Sequence, residues 1–297
     1  MTLSMNLLFA GHSAFDTVLQ NDEKKYSPGG IYYNVIGVTG CSTSEDNISI
    51  LTGIDDKYKW FAPLYDRYDR SLSPEIKSGV RVELTIHPDK EREERYLAMP
   101  EPLPLPENER LTNFDGILFN FISGNDFKLE DIKRVRAEYK GIMYADLHTL
   151  TRGMDEQGRR YFRKLPSRQE WLNCFDIIQV NDTELESIKI FPAQSESIRE
   201  ILSAGVKVLI VTYGAKGAAV YYRKNEEVEY SFISIKRIST RGCVGCGDIF
   251  GAFFFYYYVL NGNVFSALEE ATVVSENFAS IESGKSIDFI INKLKRE

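Results

Sequence analysis

The sequence predicts an α/β protein in three layers: a mostly parallel central sheet covered by helices on both faces, with a small β-sheet appendage acting as a lid. Three observations carry this. Runs that are apolar throughout, such as GILFNF at 116–121 and VKVLIVT at 206–212, alternate with helix-like segments. Strands apolar on both faces belong to parallel sheets with helices on either side. The segments VRVELTI at 80–86 and RYLA at 95–98 instead alternate with period two, the mark of a sheet with one apolar side. Finally, 297 residues at 43 % hydrophobic content suffice for a large core.

Taken in order, a strand over 6–11 ends in Gly11, and Asp16 lies close to its C-terminal end, where open α/β sheets place ligands. Residues 19–27 are polar, a loop or the arms of a small hairpin, and Pro28-Gly29-Gly30 breaks the chain before a helix over 31–40. A strand over 48–53 precedes an aromatic-rich helix over 55–68, interrupted by Pro63. The alternating segments flank the charged stretch HPDKEREE at 87–94. With strands drawn from 12–27 they make the appendage, which is too small to bury its apolar side unaided and must cover a cleft, a partner subunit or both.

A proline-rich return at 100–108 leads to strands over 116–121, 142–147, 177–180 and 206–212, with helices over 128–139, 168–173, 183–190 and 195–204 between them. An antiparallel pair follows at 220–222 and 228–233, and then helices over 250–260, 265–278 and 287–295. The expected organisation is one domain over 1–297, its lid formed by about 12–28 and 78–100.

Composition removes several functions. A net charge of −7 with 36 basic residues offers no general nucleic-acid footprint. No apolar run reaches the ~18 residues of a membrane span, and the first residues lack a basic leader region. Four scattered cysteines, Cys41, Cys174, Cys243 and Cys246, suit a reducing interior, so a cytoplasmic location is expected.

The chemistry concentrates in STRGCVGCGDIFGAFFFYYY at 239–258. A helix starting near Gly245 would aim its first N–H groups into the Gly-Cys-Gly-Asp turn, a ready anion site. Asp248 is then either a helix-start residue favoured by the dipole or a general base beside a bound phosphate. Asn181 and Glu184, three apart at a helix start, form either a capping box or a pair of hard oxygen ligands for Mg²⁺. The turn with Thr212, Gly214 and Gly217 could cradle phosphate or simply reverse the chain. Cys243 and Cys246 have redox spacing, but the interleaved glycines and Asp248 argue against a dithiol site, and the three histidines lie too far apart in sequence to suggest zinc.

Together these stretches resemble the ribokinase-like (phosphofructokinase B) family of carbohydrate and nucleoside kinases, over nearly the whole chain and in the family's order. Asp16, Gly29-Gly30 and Asn34 match its acceptor-holding motif, Asn181-Asp182-Thr183-Glu184 its Asn-x-x-Glu motif, Thr212, Gly214 and Gly217 its nucleotide-side turn, and Gly245-Cys246-Gly247-Asp248 its Gly-x-Gly-Asp signature. The resemblance implies ATP and Mg²⁺ as cofactors, Asp248 as base, Gly245 to Gly247 as anion hole, Asn181 and Glu184 on the metal side through water or phosphate, and Asn277 on the nucleotide side. A homodimer through the lid is common in the family and is compatible with the lid's alternation.

Two departures accompany it. Gly242-Cys243-Val244 replaces the usual Asp-Thr-Thr, which leaves K⁺ activation open, and His148 replaces the Asn of an Asp-x-Asn motif begun by Asp146. The acceptor is a sugar, polyol or nucleoside, chosen by Tyr32, Tyr33 and lid residues around 81–86. A non-catalytic sugar- or nucleoside-binding protein of this fold is the alternative, and a protein-interaction module a more distant one.

Overall fold

The computed structural model describes residues 4–21, 23–87, 93–235, 244–282 and 284–295. Its elements begin with β1 (Asn6–Gly11), β2 (Ser13–Gln20), β3 (Glu23–Gly30) and α1 (Ile31–Cys41). Next come β4 (Asn47–Leu51), the single turn α2 (Ala62–Tyr65), β5 (Val80–Thr85), β6 (Glu93–Ala98) and α3 (Asn108–Leu111). The β–α rhythm continues through β7 (Gly116–Asn120), α4 (Leu129–Glu138), β8 (Ile142–Asp146), a small hairpin of β9 (Arg152–Met154) and β10 (Arg160–Phe162), and α5 (Arg168–Leu172). It proceeds to β11 (Ile177–Asn181), α6 (Asp182–Ile188), α7 (Gln194–Ser203), β12 (Val208–Thr212), β13 (Ala218–Lys224) and β14 (Glu227–Ile233). The helices α8 (Cys246–Asn261), α9 (Val264–Ala279) and α10 (Ile287–Leu294) follow.

Eight strands form one sheet in the order β14-β13-β12-β11-β8-β7-β1-β4. Neighbours from β12 to β4 are parallel, and β13 and β14 close one edge antiparallel. Alternate residues feed two cores. Leu7, Phe9, Leu118 and Ile177 pack with α1, α8, α9 and α10, while Leu8, Ala10, Ile117, Phe119 and Ile178 pack with α4 to α7. Burial on both faces is why these strands read as unbroken apolar runs.

Helix α8 is apolar all round because it is enclosed all round. Every residue from Ile249 to Tyr256 is buried, and Phe255 meets Phe9 edge-on at 5.6 Å and Tyr144 at 5.9 Å. Helix α1 crosses α8 closely: a Cβ built on Gly37 would stand 2.7 Å from that of Ala252.

A second sheet has the order β3-β2-β5-β6. Its alternation buries Val80, Val82, Leu84 and Tyr96 together with Ala14 and Ile122, as period-two sequence requires. The β9–β10 hairpin, which had no sequence signal, continues its edge: Tyr96 N donates to the carbonyl of Gly158 at 2.8 Å.

Two local expectations are corrected. The helix expected over 55–68 is a 3₁₀ turn at Tyr58–Trp60 followed only by α2, because Pro63 lacks the N–H that a helix interior needs and is tolerated only in a first turn. Gly29-Gly30 end β3 rather than breaking the chain, while Asp16 lies within β2, one of the strands expected from 12–27. Part of the charged stretch 87–94 lies outside the described residues. Among the described residues no helix is long and apolar enough to cross a membrane.

Two predictions follow from the packing. Phe255→Ala should lose about 3–5 kcal/mol, read as a lowered denaturant midpoint. The second concerns His12, which is fully buried just after β1, its Nε2 3.2 Å from the Glu101 carbonyl. Burial lowers its pKa from 6.5, against the opposing pull of Asp126 and of that carbonyl. The unfolded chain therefore binds the proton more readily, so stability is present above 6.5 and is lost as pH falls below it. His12→Gln should flatten this loss in denaturant midpoints measured on both sides of that pH.

Candidate active site

Strands β1 and β7 are neighbours, and from this pair the sheet grows outward both ways, to β4 on one side and to β8 on the other. Such a switch point is where open α/β sheets receive ligands. Its two strand ends are Gly11 and Asn120, partners in the β1–β7 register. The start of α8 faces them, with Gly245 as N-cap at φ 88° and Asp248 in the first turn. Only glycine suits that φ, and a Cβ there would also meet the Tyr33 ring at 2.4 Å.

Three amide and carboxylate side chains close a polar triangle. Asn120 Nδ2 donates to Asp248 Oδ1 at 2.6 Å and to Asn34 Oδ1 at 2.5 Å, while Asn34 Nδ2 donates to the Asp248 backbone carbonyl at 2.8 Å. Asn34 and Asp248 meet because they stand one turn before Gly37 and Ala252, the contact at which α1 and α8 cross. Asp16 is buried on β2, and a Cβ on Gly29 would lie 2.1 Å from its Oδ2, so the glycine makes room for the carboxylate. Gly30 is the N-cap of α1. Burial raises the Tyr33 phenol well above its usual range, and the charges of Asp16 and Asp248 add to the effect. Both carboxylates therefore lie near one tyrosine.

On the other side, Asn181 and Glu184 form a complete capping box: Glu184 N donates to Asn181 Oδ1 at 2.7 Å, and Asn181 N to Glu184 Oε2 at 2.9 Å. Glu184 Oε1 stands 3.1 Å from His148 Nδ1 and 4.0 Å from Arg152, which is also 3.8 Å from Glu94 of β6. Burial would raise the Glu184 carboxyl, but the hydrogen bond and charge of His148 outweigh it and hold it below its usual value. Burial likewise opposes charge on His148, yet Glu184 raises its pKa. Asp146 is pushed well up by burial and then by the charge of Glu184.

Gln179 ties this side to the glycine turn. Its Nε2 donates to Asp146 Oδ2 and to the Gly247 carbonyl, each at 3.0 Å, and its Oε1 accepts from the Tyr144 hydroxyl. Thr212 pairs with Asn181 in the β11–β12 register and leads into the 3₁₀ turn Gly214–Lys216, closed by Gly217. From Asn120 on β7 to Thr212 on β12 is three strand spacings, roughly 14 Å.

Asn277 lies on α9 and lines a surface depression with Ile281, Lys285 and Phe289, two residues beyond Ser275, whose Oγ donates to the Cys246 carbonyl at 3.3 Å. Gly242 and Cys243, on which the K⁺ and dithiol questions turn, lie outside the described residues.

Among the described residues no three His, Cys, Asp or Glu side chains converge to hold a metal. Mg²⁺ does not require such a cluster, since it keeps several waters and is held by one or two carboxylates together with substrate phosphates. Glu184, with both oxygens already bonded within the protein, fits a role through water.

Asn120 and Gln179 were not singled out from sequence. Each is one polar residue near the end of an apolar strand, and nothing local separates it from a surface residue. Only the strand register shows that both point toward Asp248 and Gly247.

Fold and site together define an α/β protein in which the start of α8 and the carboxylate of Asp248 face the sheet's switch point. The family described as pfkB family carbohydrate kinase matches residues 150–281. A deoxyribokinase of Salmonella typhi is 30% identical over 103 residues, which are 33% of this chain and 32% of that protein. The chain thus matches about a third of the length of this curated relative. A pyrophosphate-dependent kinase of the ribokinase family, solved with a pyrophosphate analogue and myo-inositol, superposes with a TM-score of 0.79 at 18% identity, over 95% of this chain and 98% of the other. Arabidopsis thaliana ribokinase, solved with ribose and ATP, gives 0.73 at 16% identity, over 99% and 100%. Residues 150–281 thus match the pfkB carbohydrate kinase family, and the chain as a whole shares its fold with these two structures.

Gly245→Ala tests the turn. It combines a disfavoured φ with a clash against Tyr33, and should cost about 1–3 kcal/mol in chemical denaturation.

Proposed function

We propose that the chain is an ATP-dependent kinase that transfers the γ-phosphoryl group to a hydroxymethyl group of a small sugar, polyol or nucleoside. The observation that carries this reading is the placement of Asp248: a carboxylate fixed in the first turn of α8 by Asn120 and facing the switch point. A helix-start acid needs no such bond from the end of a core strand. The match of residues 150–281 to the pfkB carbohydrate kinase family and the ligands named for the structural neighbours support the same reading.

In the proposed mechanism Asp16, Gly29, Gly30 and Asn34 hold the acceptor, and Asp248 takes the proton of the attacking hydroxyl. The N–H groups of Gly245, Cys246 and Gly247 stabilise charge on the transferring group, since phosphoryl transfer depends chiefly on positioning and electrostatics. Thr212, Gly214, Gly217 and Asn277 line the nucleotide side, and the ~14 Å between strand ends leaves room for an extended triphosphate. Mg²⁺, when bound, supplies charge neutralisation between the phosphates, and Asn181 and Glu184 would hold it through water. The four-stranded sheet acts as a lid that excludes water. Its half-exposed Tyr26 and Leu97 would serve a homodimer contact.

The test is phosphoryl-donor consumption with Mg²⁺, with and without K⁺, against pentoses, hexoses, polyols and nucleosides, using ATP and pyrophosphate as donors. Acceptor-dependent turnover should fall about 10²- to 10⁴-fold in Asp248→Asn. Donor binding with no acceptor raising turnover above the level of that variant would replace the kinase by the sugar- or nucleoside-binding reading.

A further inference from the structure

We infer that Asn120 is a positioning residue for the proposed phosphoryl transfer: it fixes the carboxylate of Asp248 and ties it to the acceptor-holding Asn34. The inference rests on the kinase reading for its functional meaning, but its physical content is separate. Asn120 is wholly buried at the end of a strand whose other four residues, Gly116 to Phe119, carry no polar side chain. A buried amide is unfavourable there unless it is bonded. Its Nδ2 makes two short bonds, to Asp248 at 2.6 Å and Asn34 at 2.5 Å. Its Oδ1 is buried with no hydrogen-bond partner among the described residues. A residue serving stability alone would be apolar at this position, or would satisfy both ends of its amide. This one satisfies only the end that faces the carboxylate.

Two consequences follow for Asp248. A donor at 2.6 Å fixes the rotation of its carboxylate, so that proton abstraction needs no search over χ2. A hydrogen bond to the charged form also favours ionisation. Other groups oppose this. They are the carboxyls nearby: Asp146 on β8 feels the charge of Asp248, and Asp16 on β2 bears with Asp248 on Tyr33, while Tyr33 and Tyr144 stay neutral phenols. In such acidic surroundings Asn120 is the amide donor that keeps a base available. Gly11 helps to hold it in place: any Cβ there would stand 2.6 Å from the Asn120 carbonyl, so the backbones of β1 and β7 meet closely at the switch point.

The experiment compares wild type, Asn120→Asp and Asn120→Ala in three measurements: thermal unfolding, the pH profile of kcat with the KM of each substrate, and titration of the Asp248 carboxyl by ¹³C NMR. The Asp248 resonance is assigned by its absence in Asp248→Asn. Asn120→Asp sets a second carboxylate against the first, so the acid limb of the profile and the ¹³C midpoint should both rise by about one pH unit or more. Asn120→Ala should lower kcat about 10- to 100-fold, raise the midpoint by less, and leave the donor KM within about twofold of wild type. Folded variants whose acid limb, ¹³C midpoint and kcat all match wild type would overturn the inference, as would a loss confined to donor KM. If Asn120→Asp does not fold, Asn120→Ala carries the test. A wild type without turnover on any acceptor counts against the kinase reading alone, because the NMR titration still decides whether Asn120 tunes Asp248.

Discussion

The close crossing of α1 and α8 is the constraint on which the rest of the site depends. With hydrogen in place of a side chain at Gly37 and a methyl group at Ala252, the two helices approach more nearly than larger side chains would allow. One turn toward their N-termini, the same approach brings Asn34 within 2.8 Å of the Asp248 carbonyl. Both helices rest on the sheet, so the end of β7 enters the gap between them and Asn120 reaches both. The polar triangle is thus a consequence of apolar packing below it. Interiors are close-packed and transmit small displacements, which is how a helix contact remote from the pocket sets hydrogen bonds inside it.

The same logic separates the two halves of the site. In the proposed reaction the acceptor half is built on β1, β2, β7 and the starts of α1 and α8, where the bonds of Asn34 and Asn120 come from uncharged donors. The donor half, at the ends of β8, β11 and β12, is an ionic network in which Glu184, His148, Arg152 and Glu94 balance one another. Gln179 is the neutral link between them, reaching Asp146 on one side and the Gly247 carbonyl on the other. Glu94 belongs to β6, so the four-stranded sheet is tied to this ionic network. In the proposed kinase, a lid anchored there would help to keep water from competing with the alcohol for the same phosphorus.

Much of the fold was legible because burial writes itself into side-chain chemistry. Strands buried on both faces had to be apolar throughout, the lid strands had to alternate, and α8, enclosed on all sides, had to be apolar around its whole circumference. The exceptions have equally physical causes. Pro63 left only one helical turn where aromatic content suggested four. The β9–β10 hairpin turns on Asp155, whose Oδ1 accepts from Gln157 N and Arg159 N, and its three-residue strands are too short to show a period. The capping box at Asn181 and Glu184 was one of two readings that local sequence could not separate, and the bonds now show the box formed, with His148 taking the remaining Glu184 oxygen.

By itself the sequence determined the layers, the strand ends that carry Asp146 and Asn181, and the helix start that carries Asp248. These follow from periodicity and from glycines, which act within a few residues along the chain. Only the tertiary structure decided that Asn120 and Gln179 belong to the site, that Asp16 needs the vacancy at Gly29, and that Tyr33 lies against Gly245. These contacts join residues from 13 to 212 positions apart in sequence. Their partners are chosen by strand order and by the distance at which two helices cross, and no local pattern encodes either one.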